Sequence, residues 1–213
     1  AEYKGRKIGS HGHMAVFAFY PNKQMTTGEG GIVTTHSEEL WHLLKSLRNH
    51  GRSYDARWFN HVRLGFNYRI SDVAAALGVA QLERLDEILT ARDRAAARYG
   101  KLLAGIDGVE VPYPDDDEHV RSWFVYVIKL DGGLDRDFIS ANLGARGVEA
   151  GHYVPCVHLQ PYLRDRYGFH EGMCPVAEDA ATRTLALPFF TDITEDDQAY
   201  VAEVLSDVVN AGG

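Results

Sequence analysis

The sequence predicts an α/β segment followed by a smaller α+β domain. Three observations support this fold class: two short apolar runs typical of strands precede a helical stripe, one long helical pattern follows, and strand and helix patterns then alternate. The long pattern begins at Ser71 and meets little that would end a helix before Gly105. We expect this helix to bridge two domains, formed by residues 1–91 and residues 92–213.

The first segment is predicted to contain two strands and a helix. His13–Tyr20 is an aromatic and aliphatic run bounded by glycines and a proline, as in a buried strand. The β-branched run Ile32–Thr35 predicts a second strand. Ser37 offers an N-cap, and leucines at helical spacing follow it until a predicted end near Asn49–Gly51. Gly51–Arg69 has no clean period and is predicted to be a long ordered loop, a kind of segment that is often functional.

The second segment alternates between the two patterns. Ser122–Leu130 and Val148–Val154 are predicted to be strands. Asp135–Leu143 and Thr194–Val209 are predicted to be helices, the latter capped and amphipathic. Strands of the antiparallel type mixed with helices predict a small α+β domain.

The composition excludes several classes of protein. The formal net charge of -8 argues against a general nucleic-acid binder, which needs a basic surface for phosphates. The apolar runs fall far short of the roughly 20 residues that a membrane span requires. Cys156 and Cys174 lack metal-binding spacing, so no metal site is predicted, and such sparse cysteine usage suits a reducing cytoplasm. Both thiols are expected to be structural.

The first residues, Ala1–Lys7, contain neither an initiator methionine nor the apolar core and cleavage pattern of a signal peptide. We therefore expect the chain to be part of a longer protein.

Lys23 follows the first predicted strand and precedes a glycine-rich turn that ends at Gly31. A lysine at the carboxyl end of a buried strand is partly desolvated, which favours the neutral, nucleophilic amine. The glycines allow the backbone to approach a bulky planar ligand. The alternative is a solvated surface lysine, since lysine is rarely buried, and the residues alone do not decide between the two.

Six segments that cover nearly the whole chain carry recognisable motifs. They are, in order, Phe17–Gly31, Asn49–Arg52, Leu64–Asp72, Tyr153–Tyr162, Pro175–Glu178 and Leu185–Phe190. Together they resemble the DegT-type nucleotide-sugar aminotransferases. The Lys23 loop resembles the lysine loop of that family, in which an aromatic-rich strand leads into a lysine followed by Gly-Glu-Gly-Gly. The Tyr-Pro-Asn-Lys-Gln run preceded by Ala18 is similar to that of perosamine-synthase-like members.

The resemblance implies the C-terminal part of a fold-type I enzyme that depends on pyridoxal 5'-phosphate (PLP). Residues 1–91 would complete the large PLP-binding domain, and residues 92–213 would form the small domain. The implied enzyme is a cytoplasmic homodimer that transfers an amino group, usually from glutamate, to a nucleotide-linked keto-sugar in amino-sugar biosynthesis. Lys23 would hold PLP as a Schiff base. Relatives that remove a hydroxyl group carry histidine there, so lysine favours the aminotransferase.

Three further residues match site positions of the family. Asn67 matches the residue that reaches the cofactor phosphate of the partner subunit, although an asparagine there is ordinarily a turn or cap residue. Arg69 and His158 match positions near the sugar-nucleotide site. A local ion pair between Arg69 and Asp72 would explain that arginine equally well.

Two features depart from the family pattern. Ala18 stands where many members have a serine that donates a hydrogen bond to the phosphate. Either the hydroxyl of Thr26 or Thr27 compensates, or the phosphate depends more on the rest of the protein and on the partner subunit. The family's phosphate-binding turn, its ring-stacking aromatic residue and the aspartate that pairs with the ring nitrogen all precede the position of Ala1. This chain by itself is therefore expected to be inactive.

Two other functions are compatible with the residues. One is a non-catalytic or regulatory relative with the same fold, although neither a helix-turn-helix pattern nor a basic patch supports it. The other is a structural α/β domain in which the Lys23 loop is ordinary surface. Binding of PLP separates the aminotransferase from both.

Overall fold

The computed structural model describes residues 1–53 and 59–212, which form two compact units. The first unit comprises Ala1–Ile88 together with Asp115–Ser122, and the second comprises Leu89–Pro114 and Trp123–Gly213. Our domain boundary at residue 91 stays a prediction.

The described part of the first unit contains two small antiparallel sheets. The elements are β1 (Glu2–Tyr3), β2 (Arg6–Lys7), β3 (Met14–Ala18), β4 (Gly31–Thr35), α1 (Glu38–Leu47), α2 (Asp72–Glu83), the start of α3 (Leu85–Leu103) and β6 (His119–Val120). In one sheet the strand order is β2-β1-β6, and the other is the hairpin β3-β4. Two helices follow the hairpin, and a third begins at the end of the unit.

The hairpin β3-β4 confirms both predicted strands but not their burial. Val16 pairs with Val33, and Phe17 pairs with Ile32. The Val16 and Ile32 side chains are 74% and 50% exposed. The predicted burial of the first strand is therefore wrong. Among the described residues, β4 is the one strand that pairs with β3, and no cluster of buried side chains packs against the hairpin.

The helices of the first unit begin at the expected caps. The Ser37 side chain accepts a hydrogen bond from the N–H of Leu40, which confirms the predicted N-cap of α1. Ser71 caps α2 in the same way through the N–H of Ala74. The single long helix expected after Ser71 is instead two helices that are interrupted at Arg84. The Arg84 N–H bonds to the carbonyl of Gln81, a 3₁₀-type bond that ends α2.

The second unit is built on a four-stranded antiparallel sheet in the described residues. Its elements are the rest of α3, β5 (Val109–Glu110), β7 (Tyr126–Leu130), α4 (Arg136–Ala145), β8 (Gly151–His152), a 3₁₀ turn (Val157–Leu159), α5 (Pro161–Tyr167), α6 (Pro175–Arg183), β9 (Thr184–Leu187) and α7 (Glu195–Gly212). The strand order in the sheet is β5-β7-β9-β8.

The strand predicted at Ser122–Leu130 is confirmed in shorter form as β7, and the helix predicted at Asp135–Leu143 is confirmed in shifted form as α4. The strand expected at Val148–Val154 is reduced to Gly151–His152.

The core of the second unit lies between this sheet and its helices. Buried side chains come from β7, β9, α3, α4 and α7. Two polar side chains inside it are paired: the buried Gln198 donates to the carbonyl of Ala95 and accepts from Arg98, and the Tyr99 hydroxyl donates to the carbonyl of Pro188. The buried Arg92 is only partly satisfied, because its Nη1 donates to the carbonyl of Phe124 while its Nε has no hydrogen-bond partner in the described residues.

Candidate active site

The lysine loop is held by hydrogen bonds at both ends. The Lys23 N–H donates to the carbonyl of Tyr20 over 3.0 Å, which closes the turn at the end of β3. Gln24 donates through Nε2 to the carbonyl and hydroxyl of Ser122 over 3.0 and 2.9 Å. The Thr26 N–H reaches Oε1 of Gln81 on α2. Lys23 is half-buried on this loop.

The two threonines after Lys23 use their hydroxyl protons within the loop. Thr26 donates to the carbonyl of Phe19 over 3.1 Å, and the buried Thr27 donates to the carbonyl of Glu29 over 2.7 Å. Neither hydroxyl is left to donate to a phosphate in this arrangement. Of the two alternatives for the alanine at position 18, the structure therefore disfavours compensation by these threonines.

The turn after the threonines requires glycine. Gly30 has a φ of +156°, and a Cβ there would lie 2.4 Å from the Thr27 hydroxyl oxygen. A side chain at this position would displace Thr27 and loosen the loop that carries Lys23.

Asn67 and Arg69 lie on a segment that is anchored by close backbone packing. A Cβ at Gly51 would lie 1.8 Å from the carbonyl oxygen of Arg63, and a Cβ at Gly65 would lie 2.0 Å from the Gly51 nitrogen. Asn67 then pairs with Asn49 in an isolated antiparallel bridge. The described ends of the predicted 51–69 loop are thus ordered by hydrogen bonds, and residues 54–58 lie outside the described part of the chain.

The side chains of Asn67 and Arg69 are both exposed. The side-chain amide of Asn67 makes no hydrogen bond to any residue in the described ranges, so this side chain neither caps a helix nor closes a turn there. Arg69 donates to Oδ1 of Asn49, and within those ranges it makes no ion pair with Asp72. The pKa of His50 on the same segment is lowered, mainly by desolvation and then by the neighbouring cations, of which Arg69 is the first.

His158 belongs to the second unit, where it is paired with a carboxylate. It lies on the 3₁₀ turn Val157–Leu159, and its Nε2 is 2.9 Å from Oε1 of Glu178 in the first turn of α6. His158 also lines a cavity of about 590 Å³ whose wall includes Cys156, Phe169 and Thr184. The wall of this cavity is mostly apolar, so His158 is one of its few polar groups.

Sequence reasoning missed Glu178 as a partner of His158. The residue was part of a matched segment, Pro175–Glu178, but the two positions are 20 residues apart and share no periodic pattern. The sequence analysis also missed the two short helices α5 and α6. Each begins with a proline, Pro161 or Pro175, and a proline at the first helical position was the signal that could have indicated them.

Two other features are absent from the residues that the structure describes. No cluster of three or more His, Cys, Asp or Glu side chains that could hold a metal ion occurs in these residues. None of the helices in these residues has the length and apolar character that crossing a membrane demands.

A half-buried lysine on a fixed, glycine-bounded loop after a strand, followed by a small antiparallel α+β unit, is the arrangement expected for the C-terminal part of a PLP-dependent transferase. The comparisons with known proteins identify the family. Residues 1–206 match the DegT/DnrJ/EryC1/StrS aminotransferase family, and the chain belongs to it. This confirms both the resemblance and the fold-type I class predicted from the sequence.

Individual relatives agree with this assignment. The spore coat polysaccharide biosynthesis protein SpsC of Bacillus subtilis is 35% identical over 97% of this chain and 56% of its own length. The crystal structure of the aminotransferase TlmJ from Streptoalloteichus hindustanus is 30% identical, with a TM-score of 0.88 over 99% of this chain and 56% of that one. The PLP form of Spr1654 from Streptococcus pneumoniae, a candidate sugar aminotransferase, is 23% identical, with a TM-score of 0.91 over 100% of this chain and 55% of that one. At this identity it supports the fold alone.

The chain spans about half the length of the curated relatives that it matches. Aminotransferases of this family use PLP. The described residues fit one end of that cofactor: Lys23 supplies a primary amine on a loop fixed by hydrogen bonds, which suits covalent attachment to an aldehyde. They offer less to the phosphate, because the Thr26 and Thr27 hydroxyls are engaged within the loop.

Proposed function

We propose that the whole protein is a PLP-dependent sugar aminotransferase that moves an amino group from glutamate to a nucleotide-linked keto-sugar. The observation that carries this proposal is the half-buried Lys23 on the fixed loop of a chain that belongs to the family. The proposal places the protein in the cytoplasm as a homodimer whose active sites are shared between subunits.

Lys23 has two tasks in this proposal. Its Nζ would hold the cofactor covalently, and the same amine, when it is released, would act as the base and acid that moves a proton. PLP supplies the electron sink for this proton transfer. The hydrogen bonds from Lys23, Gln24 and Thr26 hold the loop in place, so the amine returns to the same position after each turnover.

Asn67, Arg69 and His158 are proposed to bind rather than to react. The exposed Asn67 amide would donate to the cofactor phosphate of the partner subunit, which is consistent with its lack of a hydrogen bond in the described residues. Arg69 would contact the anionic sugar nucleotide, since a guanidinium suits a diphosphate. His158 would contact the sugar.

The visible absorption of the whole protein tests the PLP assignment. We expect a yellow protein with an absorption band that borohydride removes, with PLP fixed to the peptide that contains Lys23. Adding glutamate should shift the band as the amino group is transferred to the cofactor. A protein that binds no PLP would favour a non-catalytic relative or a structural domain. PLP fixed to a different lysine would contradict the role of Lys23.

Mixing two inactive variants tests the shared active site. A Lys23→Ala protein and an Asn67→Ala protein, each inactive or weakened alone, should form hybrid dimers in which one of the two sites has both residues intact. At equal mixing and free exchange, half of the dimers are hybrids, so roughly a quarter of the wild-type activity should return. Subunit exchange without recovery of activity would show that Asn67 acts within its own subunit or not at all.

A further inference from the structure

Glu178 is fixed by three partners. Its carboxylate accepts hydrogen bonds from the Gly172 N–H over 2.8 and 3.0 Å and from the Cys174 N–H over 3.0 Å, and it lies 2.9 Å from His158 Nε2. The first two bonds tie the segment before α6 to the first turn of that helix, where a negative charge is also favoured. The side chains of Glu178 and His158 are 20% and 15% exposed, so both have limited freedom to change rotamer.

The carboxylate is ionised at neutral pH. The hydrogen bonds from Gly172 and Cys174, followed by that from His158, lower the pKa of Glu178 to about 2. An ionised carboxylate can accept a hydrogen bond but cannot donate one. The short contact with His158 therefore requires that the proton be on Nε2.

This requirement fixes the chemistry of the other ring nitrogen. In a neutral imidazole one nitrogen donates and the other accepts, so a proton on Nε2 leaves the lone pair on Nδ1. Within residues 1–53 and 59–212, Nδ1 makes no hydrogen bond, so its lone pair is not used by the fold. Nδ1 is thus the atom of neutral His158 that can accept a hydrogen bond from a sugar hydroxyl.

We propose that Glu178 is a positioning residue that holds His158 in the Nε2–H form and thereby makes Nδ1 a hydrogen-bond acceptor for a hydroxyl group of the sugar substrate. The role of Nδ1 depends on the proposed function, whereas the protonation state of the ring does not. In the second unit, Glu178 thus links the segment before α6 to the turn that carries His158. The site depends on a residue that need not touch substrate.

Nitrogen-15 NMR of the histidine rings in the whole protein, without substrate, tests the protonation state. The His158 signals are assigned by their loss in His158→Asn. For the neutral ring, we expect Nε2 to show the chemical shift of a protonated nitrogen and Nδ1 that of an unprotonated one. In Glu178→Gln this preference should weaken toward a mixture, because an amide can also donate to the ring. Glu171→Gln, a carboxylate-to-amide change on the same segment, should leave it intact.

A wild-type ring with the proton on Nδ1 would overturn the proposal. So would a Glu178→Gln protein whose His158 tautomer is unchanged. If Glu178→Gln fails to fold, the wild-type measurement still decides the question.

Kinetics test the link to substrate. We expect Glu178→Gln to lower kcat/KM for the keto-sugar about tenfold, as for the loss of one hydrogen bond to a polar substrate group, and to leave the reaction of the cofactor with glutamate unchanged. In a His158→Ala background, Glu178→Gln should have no further effect on kcat/KM, since the histidine through which Glu178 acts is gone.

An equal loss of kcat/KM in the wild-type and His158→Ala backgrounds would show that Glu178 has a structural role alone. The whole protein could show the Nε2–H form of His158 and yet catalyse no transamination. That result would refute the proposed function and the role of Nδ1, but not the pairing of His158 with Glu178.

Discussion

The two units of this chain differ in where their apolar side chains lie. In the second unit, strands β7 and β9 and three helices bury a continuous cluster that includes Leu103, Ile128 and Leu205. In the first unit, apolar residues of similar size lie largely at the surface, among them Val16, Ile32 and, on α2, Val73 at 83% exposure. Comparable residue types thus have opposite environments in the two units.

Because of this difference, the two units are expected to contribute different properties to the protein. The second unit has a continuous cluster of buried apolar side chains, and burial of this kind stabilises a fold. The first unit carries Lys23, Asn67 and Arg69, together with an apolar surface of the kind that marks contact with other protein. Substitutions in the first unit are therefore expected to alter mainly chemistry and assembly, and substitutions in the second unit mainly stability.

The largest effect is expected at Lys23. Lys23→Ala in the whole protein should lower transamination by at least about a thousandfold, because neither covalent attachment nor proton transfer survives. Its melting temperature and its oligomeric state should stay near those of the wild type, since the half-buried side chain contributes little to a core. Activity assays combined with thermal melts and light scattering measure both. Near-normal turnover would refute the assignment of Lys23.

A matched pair of leucines tests the difference in stability directly. Leu103→Ala removes a side chain that is 0% exposed and should destabilise this chain by about 2 to 5 kcal/mol. Leu82→Ala removes one that is 58% exposed and should change stability by less than about 0.5 kcal/mol. Urea denaturation of both variants supplies the comparison. Equal losses would mean that the first unit buries as much apolar surface as the second.

Hydrogen exchange on the 213-residue chain alone should show the same contrast residue by residue. We expect amides of Tyr126–Leu130 to exchange at least about a hundredfold more slowly than those of Met14–Ala18, because local opening is easiest where few apolar groups are buried. The outer edges of the hairpin pair with no other strand in the described residues, and such edges should also favour aggregation. Strong protection of Met14–Ala18 from exchange in a dispersed monomer would contradict the expected difference between the two units.

The smallest effect concerns Glu178 and pH. Its pKa falls from an ordinary value of 4.5 to about 2 on folding, so its stabilising effect is complete above about pH 4.5 and is lost as the pH falls toward 2. Glu178→Gln should therefore be less stable than the wild type at pH 7, and the gap should narrow across that range. Urea denaturation at several pH values measures it, with Glu171→Gln as the control. A gap independent of pH would show that the charge is not responsible.

The sequence by itself determined the local features and the family. Ser37 was predicted as a cap and acts as one, because a cap depends on a residue only three positions away. The ordered segments around Lys23, Asn67 and His158 were enough to predict the family and PLP as its cofactor, since a chain of matched motifs needs no coordinates. The strands at Met14–Ala18 and Gly31–Thr35 followed from apolar and β-branched runs in the same way.

Tertiary structure alone decided which side chains are buried and which are paired. The aromatic run of the first strand predicted burial, yet Val16 is exposed, because burial depends on what packs against a strand and not on its own composition. Arg69 could have paired with Asp72, but the fold brings Asn49 within its reach instead. The contact between His158 and Glu178 joins a 3₁₀ turn to a helix 20 residues later, and no local rule of spacing predicts a bond that only the folding of the intervening segment creates.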